Sequence, residues 1–343
     1  MKTRVAINGF GRIGRSVFKV LFDRTDVEVV ALNDLTDNET LAHLLRYDSN
    51  YGSYKHEVES SDDGIKVDGR NIKILSEKDP SKLPWESMKV DVVVECTGIF
   101  RSPKQARMHV QAGAKKVVIS APASGDDADD AHTVVIGVNE DTLENHRGDI
   151  LSNASCTTNC ISPVAAVIHS NFGIEKVMMT TIHAYTADQN LQDGPHKDLR
   201  RSRAAALNIV PTSTGATKAV GRVIRELEGT FEGMAVRVPV PTGSLSDFTM
   251  LLKKDVTVEE VNKALTDAAD QPYYQGVLTV TNDPIVSADI VGDSHSAIVD
   301  LSLTKVTGGN LLKVVAWYDN EWGYSNRLAE LVADIGKKLE DQV

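Results

Sequence analysis

The sequence predicts an α/β protein: a doubly wound parallel sheet comes first, and an α+β domain with a mainly antiparallel sheet follows. In the first part of the chain, short apolar runs alternate with helical stretches, the pattern of parallel sheets covered by helices. Beyond residue 156, strand-like runs follow one another with fewer helices, which favours antiparallel pairing. The 343 residues are enough for two domains with a core each.

The domain boundary is expected close to residue 155. We expect residues 1–155 to form the first domain and residues 156–319 to form the second. The final segment, 320–343, is expected to be a helix that completes the first domain. Its apolar residues recur at helical spacing on one face. They are Leu328, Leu331, Val332, Ile335 and Leu339.

The composition is that of an ordinary globular protein, with 25% charged and 41% hydrophobic residues. A formal net charge of −11 argues against general nucleic-acid binding, which requires a basic face. The N-terminus has no secretory signal pattern, and no apolar run is long enough to cross a bilayer. The three cysteines form neither a disulfide framework nor a metal-binding pattern. We therefore expect a cytoplasmic protein with no metal, membrane or nucleic-acid partner.

A glycine-rich turn follows the first strand. The apolar run 4–8 leads into the turn at 9–14, a helix is expected over 16–22, and a second strand over 27–33 ends at Asp34. A strand, the pattern Gly-X-Gly-X-X-Gly, a helix and an acid about 20 residues later together define a dinucleotide site. Asp34 is expected to accept hydrogen bonds from an adenosine ribose.

Each glycine of this turn has a separate task. Gly9 allows the tight turn, Gly11 lets the backbone approach a pyrophosphate, and Gly14 lets the helix pack closely on the sheet. Further along, helices are expected over 40–47 and 102–112. Buried strands are expected over 91–98 and 116–122, which continues the parallel sheet.

Cys156 lies near the middle of the chain, where a strand-like run gives way to a helical run that extends to Phe172. A helix N-terminus offers unpaired N–H groups and a positive dipole end, and both favour a thiolate. Neighbouring hydroxyls and amides could also hold an anion there. The segment therefore predicts a nucleophilic cysteine rather than a small buried residue at a strand–helix junction.

Longer strands and one long polar loop are typical of the part after Cys156. The loop extends from residue 187 to about 204 and contains Arg200, Arg201 and Arg203. Loops of that length inside a compact domain are usually functional. Strands are expected over 176–186, 236–241, 245–253, 277–281, 296–304 and 311–318, and helices over 216–227 and 258–269.

His183 is the histidine best placed to serve Cys156. It lies on a predicted strand of the same domain, among threonines that keep its surroundings polar. A Cys–His pair makes a thiolate at neutral pH and supplies a general base. In contrast, His43, His109 and His169 are interpreted as ordinary helix residues.

Three classes of function fit these features. A Cys–His pair could belong to an acyl-transfer hydrolase or to an aldehyde dehydrogenase that forms a thiohemiacetal. A protein that binds a nucleotide and leaves its cysteine idle is the third class. The glycine-rich turn favours the dehydrogenase, which would reduce a nicotinamide in the presence of an aldehyde.

The whole chain resembles the phosphorylating glyceraldehyde-3-phosphate dehydrogenases of bacterial type. The segment around Cys156 is similar to their active-site signature, and five other segments match in the same order. The resemblance implies a Rossmann domain, NAD as cofactor, and glycolysis as the metabolic setting. The matching segments are 8–15, 154–160, 181–186, 198–201, 212–216 and 317–324.

The resemblance also implies catalytic roles. Cys156 would attack the aldehyde of D-glyceraldehyde 3-phosphate, and His183 would take the proton as the hydride leaves. Inorganic phosphate would then split the thioester and give 1,3-bisphosphoglycerate. The residues implied for the attacking phosphate are Ser155, Thr157, Thr214 and Gly215, and those implied for the substrate phosphate are Thr186, Arg201 and Arg237.

For the cofactor, the resemblance implies contacts from both domains. Asn320 would hold the nicotinamide amide, with Tyr324 beside it. The contacts implied in the first domain are Gly9, Phe10, Gly11, Arg12, Ile13, Gly14, Asp34, Lys78, Thr97 and Ser120. The family is tetrameric, with the loop after Ala187 at subunit contacts, so a homotetramer is expected. An erythrose-4-phosphate dehydrogenase is the alternative, because it shares the same chemistry.

Overall fold

The computed structural model describes residues 2–341, which form two compact units. The first unit contains the chain up to residue 134, residues 140–154 and the chain from residue 325 on. The second unit contains residues 135–139 and 155–324. Of the helix expected over 320–343, residues 342 and 343 lie outside the described part.

The first unit is built on a long sheet and a two-strand ribbon. Parallel pairs join its central strands, and antiparallel pairs occur at one edge. The strands are β1 Thr3–Asn8, β2 Val27–Asn33, β3 Tyr47–Asp48, β4 Gly52–Ser53, β5 Val58–Ser61, β6 Gly64–Val67, β7 Arg70–Leu75, β8 Val92–Glu95, β9 Lys116–Ile119, β10 His132–Thr133 and β11 Ile150–Ser152.

The strand order of this sheet is β10-β11-β9-β8-β1-β2-β7-β6-β5. The chain moves from β1 to β2 in one direction and later to β8 on the other side of β1. The strand order therefore reverses beside β1, which is where doubly wound sheets bind their ligands. Its helices are α1 Arg12–Phe22, α2 Asn38–Arg46 and α3 Pro103–Gln111.

The second unit contains a sheet with mainly antiparallel pairs, in the order β13-β14-β12-β15-β19-β17-β16, with β18 on β19. The strands are β12 Ile174–Ala184, β13 Val210–Ser213, β14 Phe231–Val238, β15 Ser244–Leu252, β16 Leu278–Thr281, β17 Ala297–Asp300, β18 Lys305–Thr307 and β19 Leu311–Tyr318. The helices are α4 Cys156–Phe172, α5 Ala216–Val223 and α6 Val258–Ala269.

The last helix, α7, spans Trp322–Glu340. Within the first unit it packs closely on β1, because a Cβ added to Gly336 would lie 1.9 Å from the Thr3 hydroxyl oxygen. Leu328, Leu331 and Ile335 are buried. No helix in the described range, 2–341, is both long and apolar enough to span a membrane.

The predicted α/β class is confirmed, with a parallel first sheet and a mainly antiparallel second one. Several element boundaries were wrong, and the strand expected over 236–241 spans Phe231–Val238 instead. The strand expected over 296–304 ends at Asp300 and continues as a 3-10 turn over Leu301–Leu303. The helix expected over 216–227 ends at Val223, and a second 3-10 turn follows over Arg225–Leu227.

Candidate functional site

The candidate cofactor residues of the first unit follow the carboxyl ends of the neighbouring parallel strands β9, β8, β1, β2 and β7. The carboxyl ends of parallel strands lie at the same edge of a sheet, so the pairing of the strands is enough to bring these residues to one edge. In this order they are Ser120, Thr97, the turn from Gly9 to Gly14 with Phe10, Gly11, Arg12 and Ile13, then Asp34 and Lys78.

The three glycines have the geometry that the dinucleotide motif requires. Gly9 has a φ of +90°, and a Cβ there would lie 2.7 Å from the backbone nitrogen of Thr97. A Cβ on Gly14 would lie 2.1 Å from the carbonyl oxygen of Gly9. Gly11 is exposed, and nothing lies within 4 Å of the place its Cβ would take. This open backbone beside the N-terminus of α1 fits a pyrophosphate.

Asp34 is joined to the glycine turn. Its Oδ2 accepts a hydrogen bond of 2.7 Å from the Phe10 backbone N–H, and its Oδ1 accepts one of 3.0 Å from Thr36. Each carboxylate oxygen can accept a second bond, which leaves capacity for ribose hydroxyls. Arg12 forms an ion pair of 2.9 Å with Asp48.

The other candidates on this edge differ in exposure. Lys78 is exposed beyond the end of β7, and Ile13 is half-buried in the first turn of α1. Thr97 and Ser120 are half-buried. The Ser120 N–H donates to the carbonyl oxygen of Glu95 at 3.0 Å, so the segments after β8 and β9 are joined at this edge.

In the second unit, Cys156 is the first residue of α4. Ser155 is the N-cap, and its hydroxyl oxygen accepts a bond of 3.0 Å from the Thr158 N–H. The preceding residue, Ala154, has a φ of +54°, so a tight turn leads into the helix. The cap places Cys156 in the first turn, where amides are unpaired.

His183 reaches Cys156 from the neighbouring strand β12. The Cys156 Sγ lies 3.5 Å from the His183 Nε2. Arg237 stands opposite His183 in the parallel pairing of β12 and β14, and its Nη1 lies 2.7 Å from the His183 Nδ1. The same Nη1 donates to the carbonyl oxygen of Ala184 at 3.0 Å. Strand register therefore brings the imidazole and the guanidinium together.

Burial sets the ionisation of His183. Burial, together with the charge of Arg237, lowers the pKa of His183 to about 3. The imidazole is therefore neutral at physiological pH and can accept a proton. Its Nδ1 lies 2.7 Å from the Ala184 carbonyl oxygen. The carbonyl oxygen favours a proton on Nδ1, which leaves the Nε2 lone pair directed at the thiol, whereas the Arg237 Nη1, which can only donate, favours the other tautomer.

The thiol of Cys156 differs from the sequence expectation. Burial raises the pKa of the thiol above its ordinary value, although the Arg237 charge and hydrogen bonds from Thr157 lower it. Burial has the larger effect, so the helix N-terminus alone does not produce a thiolate. A neutral His183 next to a thiol instead forms a general-base pair, in which the proton moves as the sulfur attacks.

The candidate phosphate donors lie at two adjacent helix N-termini. The Thr158 hydroxyl donates to the carbonyl oxygen of Ala216 at 3.4 Å, which joins the start of α4 to the start of α5. Thr214 and Gly215 precede α5, and Gly215 is exposed. The structure therefore brings Ser155 and Thr157 close to Thr214 and Gly215, at two positive dipole ends that favour an anion.

Thr157 and Thr214 use their hydroxyls within the chain. The Thr157 hydroxyl lies 2.9 Å from the Tyr318 hydroxyl, and Tyr318 is also 2.8 Å from the hydroxyl of Thr181. The Thr214 hydroxyl oxygen accepts a bond of 3.2 Å from the Ala216 N–H. A hydroxyl that already has one partner can still contact an anion, because it can both donate and accept.

Asp188 occupies the candidate site for the substrate phosphate. Its carboxylate accepts a hydrogen bond from Thr186 and forms an ion pair with Arg201. Burial acts to raise the pKa of Asp188, but the Thr186 bond and the charges of Arg237 and Arg201 lower it overall. The ionised carboxylate therefore interacts with the same groups that are expected to bind a phosphate.

Arg201 is held by several further contacts. Its Nε donates to the Thr212 hydroxyl at 3.0 Å, and its Nη2 donates to the Ser213 carbonyl oxygen at 3.3 Å. Asp198 lies 3.7 Å from the Nε. These contacts tie the long polar loop to β13, just before Thr214.

Asn320 follows β19 and has a fixed amide orientation. Its Oδ1 accepts hydrogen bonds from the Ser244 hydroxyl at 2.8 Å and from the Gly243 N–H at 3.2 Å. Because Oδ1 is occupied by donors, the amide nitrogen is the group that remains for a ligand acceptor. Tyr324 lies one helical turn further on, in α7, and is buried.

Sequence reasoning missed two residues of this cluster. Asp188 is two residues beyond Thr186, in a turn that the Gln189 N–H closes by donating to the Thr186 carbonyl oxygen, and its ion pair with Arg201 depends on the fold of the long loop. Tyr318 ends β19, and its ring packs edge-on against His183 with centroids 6.0 Å apart. Tyr318 and Thr157 are 161 residues apart in the sequence, so no local pattern could have indicated their hydrogen bond.

Family models match both parts of the chain. Residues 3–103 match the NAD binding domain of glyceraldehyde 3-phosphate dehydrogenase, and residues 155–320 match the C-terminal domain of the same enzyme. The chain belongs to the glyceraldehyde-3-phosphate dehydrogenase family. It is accordingly an NAD-dependent dehydrogenase, which excludes both the hydrolase and the protein with an idle cysteine.

Curated relatives of this family cover the chain almost completely. The chain is 56% identical to the glyceraldehyde-3-phosphate dehydrogenase of Mycolicibacterium smegmatis, over 99% of its own length and 100% of the relative. It is 55% identical to glyceraldehyde-3-phosphate dehydrogenase 2 of Streptomyces arenae at the same coverage. Identity to the Borreliella burgdorferi enzyme is 54%, over 97% of the chain. The erythrose-4-phosphate alternative is not supported over this family.

Proposed function

We propose that the chain oxidises D-glyceraldehyde 3-phosphate to 1,3-bisphosphoglycerate with NAD and inorganic phosphate, as a step of glycolysis or gluconeogenesis. The relatives carry this enzyme's name. The observation that carries the proposal is the pair of Cys156 Sγ and His183 Nε2, 3.5 Å apart at the start of α4. A thiol and a base at that distance suit covalent catalysis on an aldehyde.

The first step that we assign to the pair is attack on the aldehyde. The Cys156 Sγ forms a bond to the carbonyl carbon, and the thiol proton passes through His183 to the oxygen, which gives a thiohemiacetal. Burial and the Arg237 charge lower the pKa of His183, so the imidazole is neutral before the attack and its Nε2 is free to take this proton in passing. The N-terminus of α4 stabilises negative charge that develops near the sulfur.

Oxidation then converts the thiohemiacetal into a thioester on Cys156. His183 takes the hydroxyl proton, so that the C–O bond becomes a carbonyl as the hydride leaves the carbon. Bound NAD supplies the acceptor for that hydride. The open backbone at Gly11 and the carboxylate of Asp34 are the groups that we assign to the pyrophosphate and the ribose.

Release of the product needs a second phosphate. Inorganic phosphate attacks the thioester carbon, the C–S bond breaks, and the Cys156 sulfur regains its proton from His183. We assign this phosphate to the two adjacent helix N-termini, with Ser155, Thr157, Thr214 and Gly215 as donors. Their mutual placement is supported by the bond from Thr158 to Ala216.

We assign the substrate's own phosphate to Thr186, Arg201 and Arg237. The contact of Thr186 and Arg201 with the Asp188 carboxylate supports this role, because it shows that these groups accept an anion together. A dianionic phosphate offers more charge than one carboxylate and favours the guanidinium groups. Binding would therefore shift Arg201 and Thr186 from Asp188 to the substrate.

The two parts of the chain have separate tasks in this proposal. Residues 1–155, with the C-terminal helix 320–343, would bind NAD, and residues 156–319 would carry the chemistry. Asn320 would hold the nicotinamide amide through its amide nitrogen, since its oxygen already accepts bonds from Ser244 and Gly243. Tyr324 and Lys78 are assigned as further cofactor contacts.

A homotetramer is part of the proposal. Four large apolar side chains are at least 70% exposed between residues 191 and 209, which is unusual for a surface that faces water. They are Leu191, Leu199, Leu207 and Ile209. Sedimentation of the native chain and of a Leu199→Asp, Leu207→Asp variant tests the assembly, with dissociation of the variant expected. A monomeric native chain would contradict it.

We also propose a cytoplasmic location. Cys96, Cys156 and Cys160 are free thiols, and free thiols suit a reducing compartment. Fractionation of the source cells tests the location.

Initial rates on two aldehydes test the proposed reaction. We expect phosphate-dependent reduction of NAD with glyceraldehyde 3-phosphate, and a lower kcat/KM with erythrose 4-phosphate. A higher kcat/KM with erythrose 4-phosphate, or a rate that does not depend on phosphate, would contradict the proposal.

A further inference from the structure

A chain of polar side chains is buried directly beneath the glycine turn of the first unit. Trp85 and His109 are completely buried, Glu95 and Asn8 are 1% exposed, and Asn33 is 5% exposed. None of these residues belongs to the catalytic or cofactor groups described above. Buried polar side chains are costly unless they are fully hydrogen-bonded, so their presence here requires an explanation.

Strand register places three of these residues side by side. Asn8, Asn33 and Glu95 are the last residues of β1, β2 and β8. Asn8 stands opposite Asn33 in one parallel pair and opposite Glu95 in the other. The three side chains therefore form a row at the carboxyl edge of the sheet, immediately before the turn that begins at Gly9.

The hydrogen bonds that lead from Trp85 through His109 to Glu95 have a single possible direction. The indole N–H can only donate, and it does so to the His109 Nδ1 at 3.0 Å. A neutral His109 that accepts at Nδ1 carries its proton on Nε2. That proton faces the Glu95 Oε2 at 3.1 Å. The indole therefore selects the tautomer of His109 that donates to Glu95.

The two asparagines have equally defined orientations. The Asn33 Oδ1 accepts from the Glu77 N–H at 2.9 Å, so its amide nitrogen donates to the Asn8 Oδ1 at 2.7 Å. The Asn8 amide nitrogen then donates to the Glu95 Oε2 at 2.6 Å. Hydrogen bonds therefore converge on the Glu95 carboxylate from both sides.

Thr97 completes the set of donors to Glu95. Its backbone N–H donates to the Glu95 Oε1 at 2.8 Å, and its hydroxyl donates to the same oxygen. Glu95 thus accepts bonds from His109, Asn8 and both groups of Thr97. A carboxylate is the one side chain of this size that can accept four bonds and donate none.

The carboxylate thereby determines where the segment after β8 meets the glycine turn. A Cβ on Gly9 would lie 2.7 Å from the Thr97 nitrogen, so the backbones are in direct contact. The Gly9 N–H donates to the Asn33 carbonyl oxygen at 2.8 Å. Thr97, which bonds to Glu95 directly, and Asn33, which is connected to Glu95 through Asn8, therefore support the turn from both sides.

We propose that Trp85, His109 and Glu95 are positioning residues for the cofactor: they form a directional hydrogen-bond relay that fixes Thr97 and the glycine turn in the geometry that binds NAD. The inference rests on the assignment of Thr97 and this turn as cofactor contacts. Apolar side chains of similar volume could fill a core without this cost, whereas fully satisfied polar networks define one geometry. A preorganised turn binds its ligand without first losing conformational freedom.

The affinity for NAD tests the relay without using catalysis. Trp85→Phe removes the only donor to the His109 Nδ1 among the described residues, which frees the imidazole to take the other tautomer. We expect the Kd for NAD, measured by calorimetry, to rise about tenfold, since a buried hydrogen-bond partner is left unpaired. Glu95→Gln keeps the side chain's size but directs an amide N–H₂ at donors, and a similar rise is expected.

Leu83→Ala is the matched control, because Leu83 is 3% exposed in the same core as Trp85 but contributes no side-chain hydrogen bond. It should lower Tm and leave the Kd for NAD within about twofold. An unchanged Kd in both relay variants would overturn the proposal. An equal rise in Leu83→Ala would also overturn it, because loss of core packing would then be sufficient.

Hydrogen exchange of the unmodified protein tests the same proposal if a variant fails to fold. Saturation with NAD should slow amide exchange in residues 84–90 around Trp85, and leave the hairpin at 58–67 unchanged. Unchanged exchange in 84–90 would overturn the relay. The Gly11→Ala variant distinguishes a wrong relay from a wrong assignment of the cofactor contacts. If the Kd of this variant for NAD is also normal, the glycine turn does not bind NAD.

Discussion

Two candidate regions are built in different ways: the edge of the first sheet with the proposed NAD contacts, here the cofactor edge, and the proposed catalytic cluster of Cys156, His183 and Arg237 in the second unit. At the cofactor edge, the turn from Gly9 to Gly14 consists of consecutive residues, and its key feature is the absence of side chains. The catalytic cluster joins side chains that are far apart in the chain. Cys156 and His183 are 27 residues apart, and His183 and Arg237 are 54 apart.

This difference separates two ways of encoding a site. The glycine turn depends on local backbone geometry, which a short motif specifies by itself. The pair of His183 and Arg237 depends on the register of β12 and β14, where these two residues stand opposite each other. A shift of one residue would direct either side chain to the other face of the sheet. The catalytic cluster should therefore be more sensitive to single side-chain changes.

The largest loss is expected from His183→Asn. It removes the neutral base that lies 3.5 Å from the Cys156 sulfur, so kcat should fall about a hundred-fold or more. The Kd for NAD should be unchanged. His43→Asn is the control, because His43 is exposed in α2. A His183→Asn variant with kcat within about threefold of the native chain would contradict its role as the base.

An effect of similar size is expected at the cofactor edge, in the preference of the chain for NAD over NADP. The Asp34 carboxylate would repel the 2′-phosphate of NADP by a few kcal/mol, which corresponds to a preference for NAD of about a hundred-fold.

Asp34→Asn separates the charge of this residue from its structural contact. The amide oxygen can still accept the Phe10 N–H, so the bond to the glycine turn is retained while the charge and the bond from Thr36 are removed. The ratio of kcat/KM for NAD over NADP should fall in this variant and also in Asp34→Ala. A native ratio close to one, or no fall in either variant, would refute the role of the carboxylate.

A smaller effect is expected from the arginines of the substrate phosphate. Arg201→Leu and Arg237→Leu should raise KM for glyceraldehyde 3-phosphate about tenfold or more, because a charge-assisted contact is lost. KM for unphosphorylated glyceraldehyde should change much less. Arg200→Leu, an exposed neighbour, is the control. Equal changes in KM with both aldehydes would show that neither arginine binds the substrate phosphate.

The smallest effect concerns the ionisation of Cys156. The positive charge of Arg237 lowers the pKa of the thiol, so Arg237→Leu should shift the alkylation profile to higher pH. Iodoacetamide reacts with the thiolate, and the rate at a fixed pH below the pKa should therefore fall several-fold. Arg200→Leu should leave the profile unchanged. A shift to lower pH in Arg237→Leu would contradict the electrostatic assignment.

The order of cysteine labelling is expected to follow the pKa of each thiol. Burial raises the pKa of Cys96 to about 12, and Cys160 is completely buried with a raised pKa as well. Cys96 and Cys156 are both half-buried, but the charge of Arg237 acts to lower the pKa of Cys156, so Cys156 should be labelled first.

Motifs predicted the fold and the geometry of the glycine turn, because each is set by local patterns. The alternation of strands and helices indicated the parallel sheet, and the glycines indicated the turn beside β1. Asp188 and Tyr318 were not predicted, since their contacts depend on tertiary packing. His109 was interpreted as an ordinary helix residue, yet it is completely buried between Trp85 and Glu95. A buried histidine cannot be distinguished from an exposed one by its helical position alone.

The pKa of Cys156 shows a further limit of sequence reasoning. A position at a helix start predicted a stabilised thiolate, but the balance between burial and nearby charge depends on what covers the sulfur. Arg237 contributes to that balance from β14, 81 residues further along the chain, which only the register of the strands reveals.

Formation of a thioester on Cys156 is the most direct test of the proposed reaction. Native protein is mixed with glyceraldehyde 3-phosphate and NAD without phosphate, and the early NADH yield and the mass of the Cys156 peptide are measured. We expect a burst close to one NADH per chain and an acyl group on Cys156. Cys156→Ser should give neither, while its Kd for NAD stays normal. Steady turnover by Cys156→Ser, or an acyl group on Cys96 or Cys160 instead, would contradict covalent catalysis by Cys156.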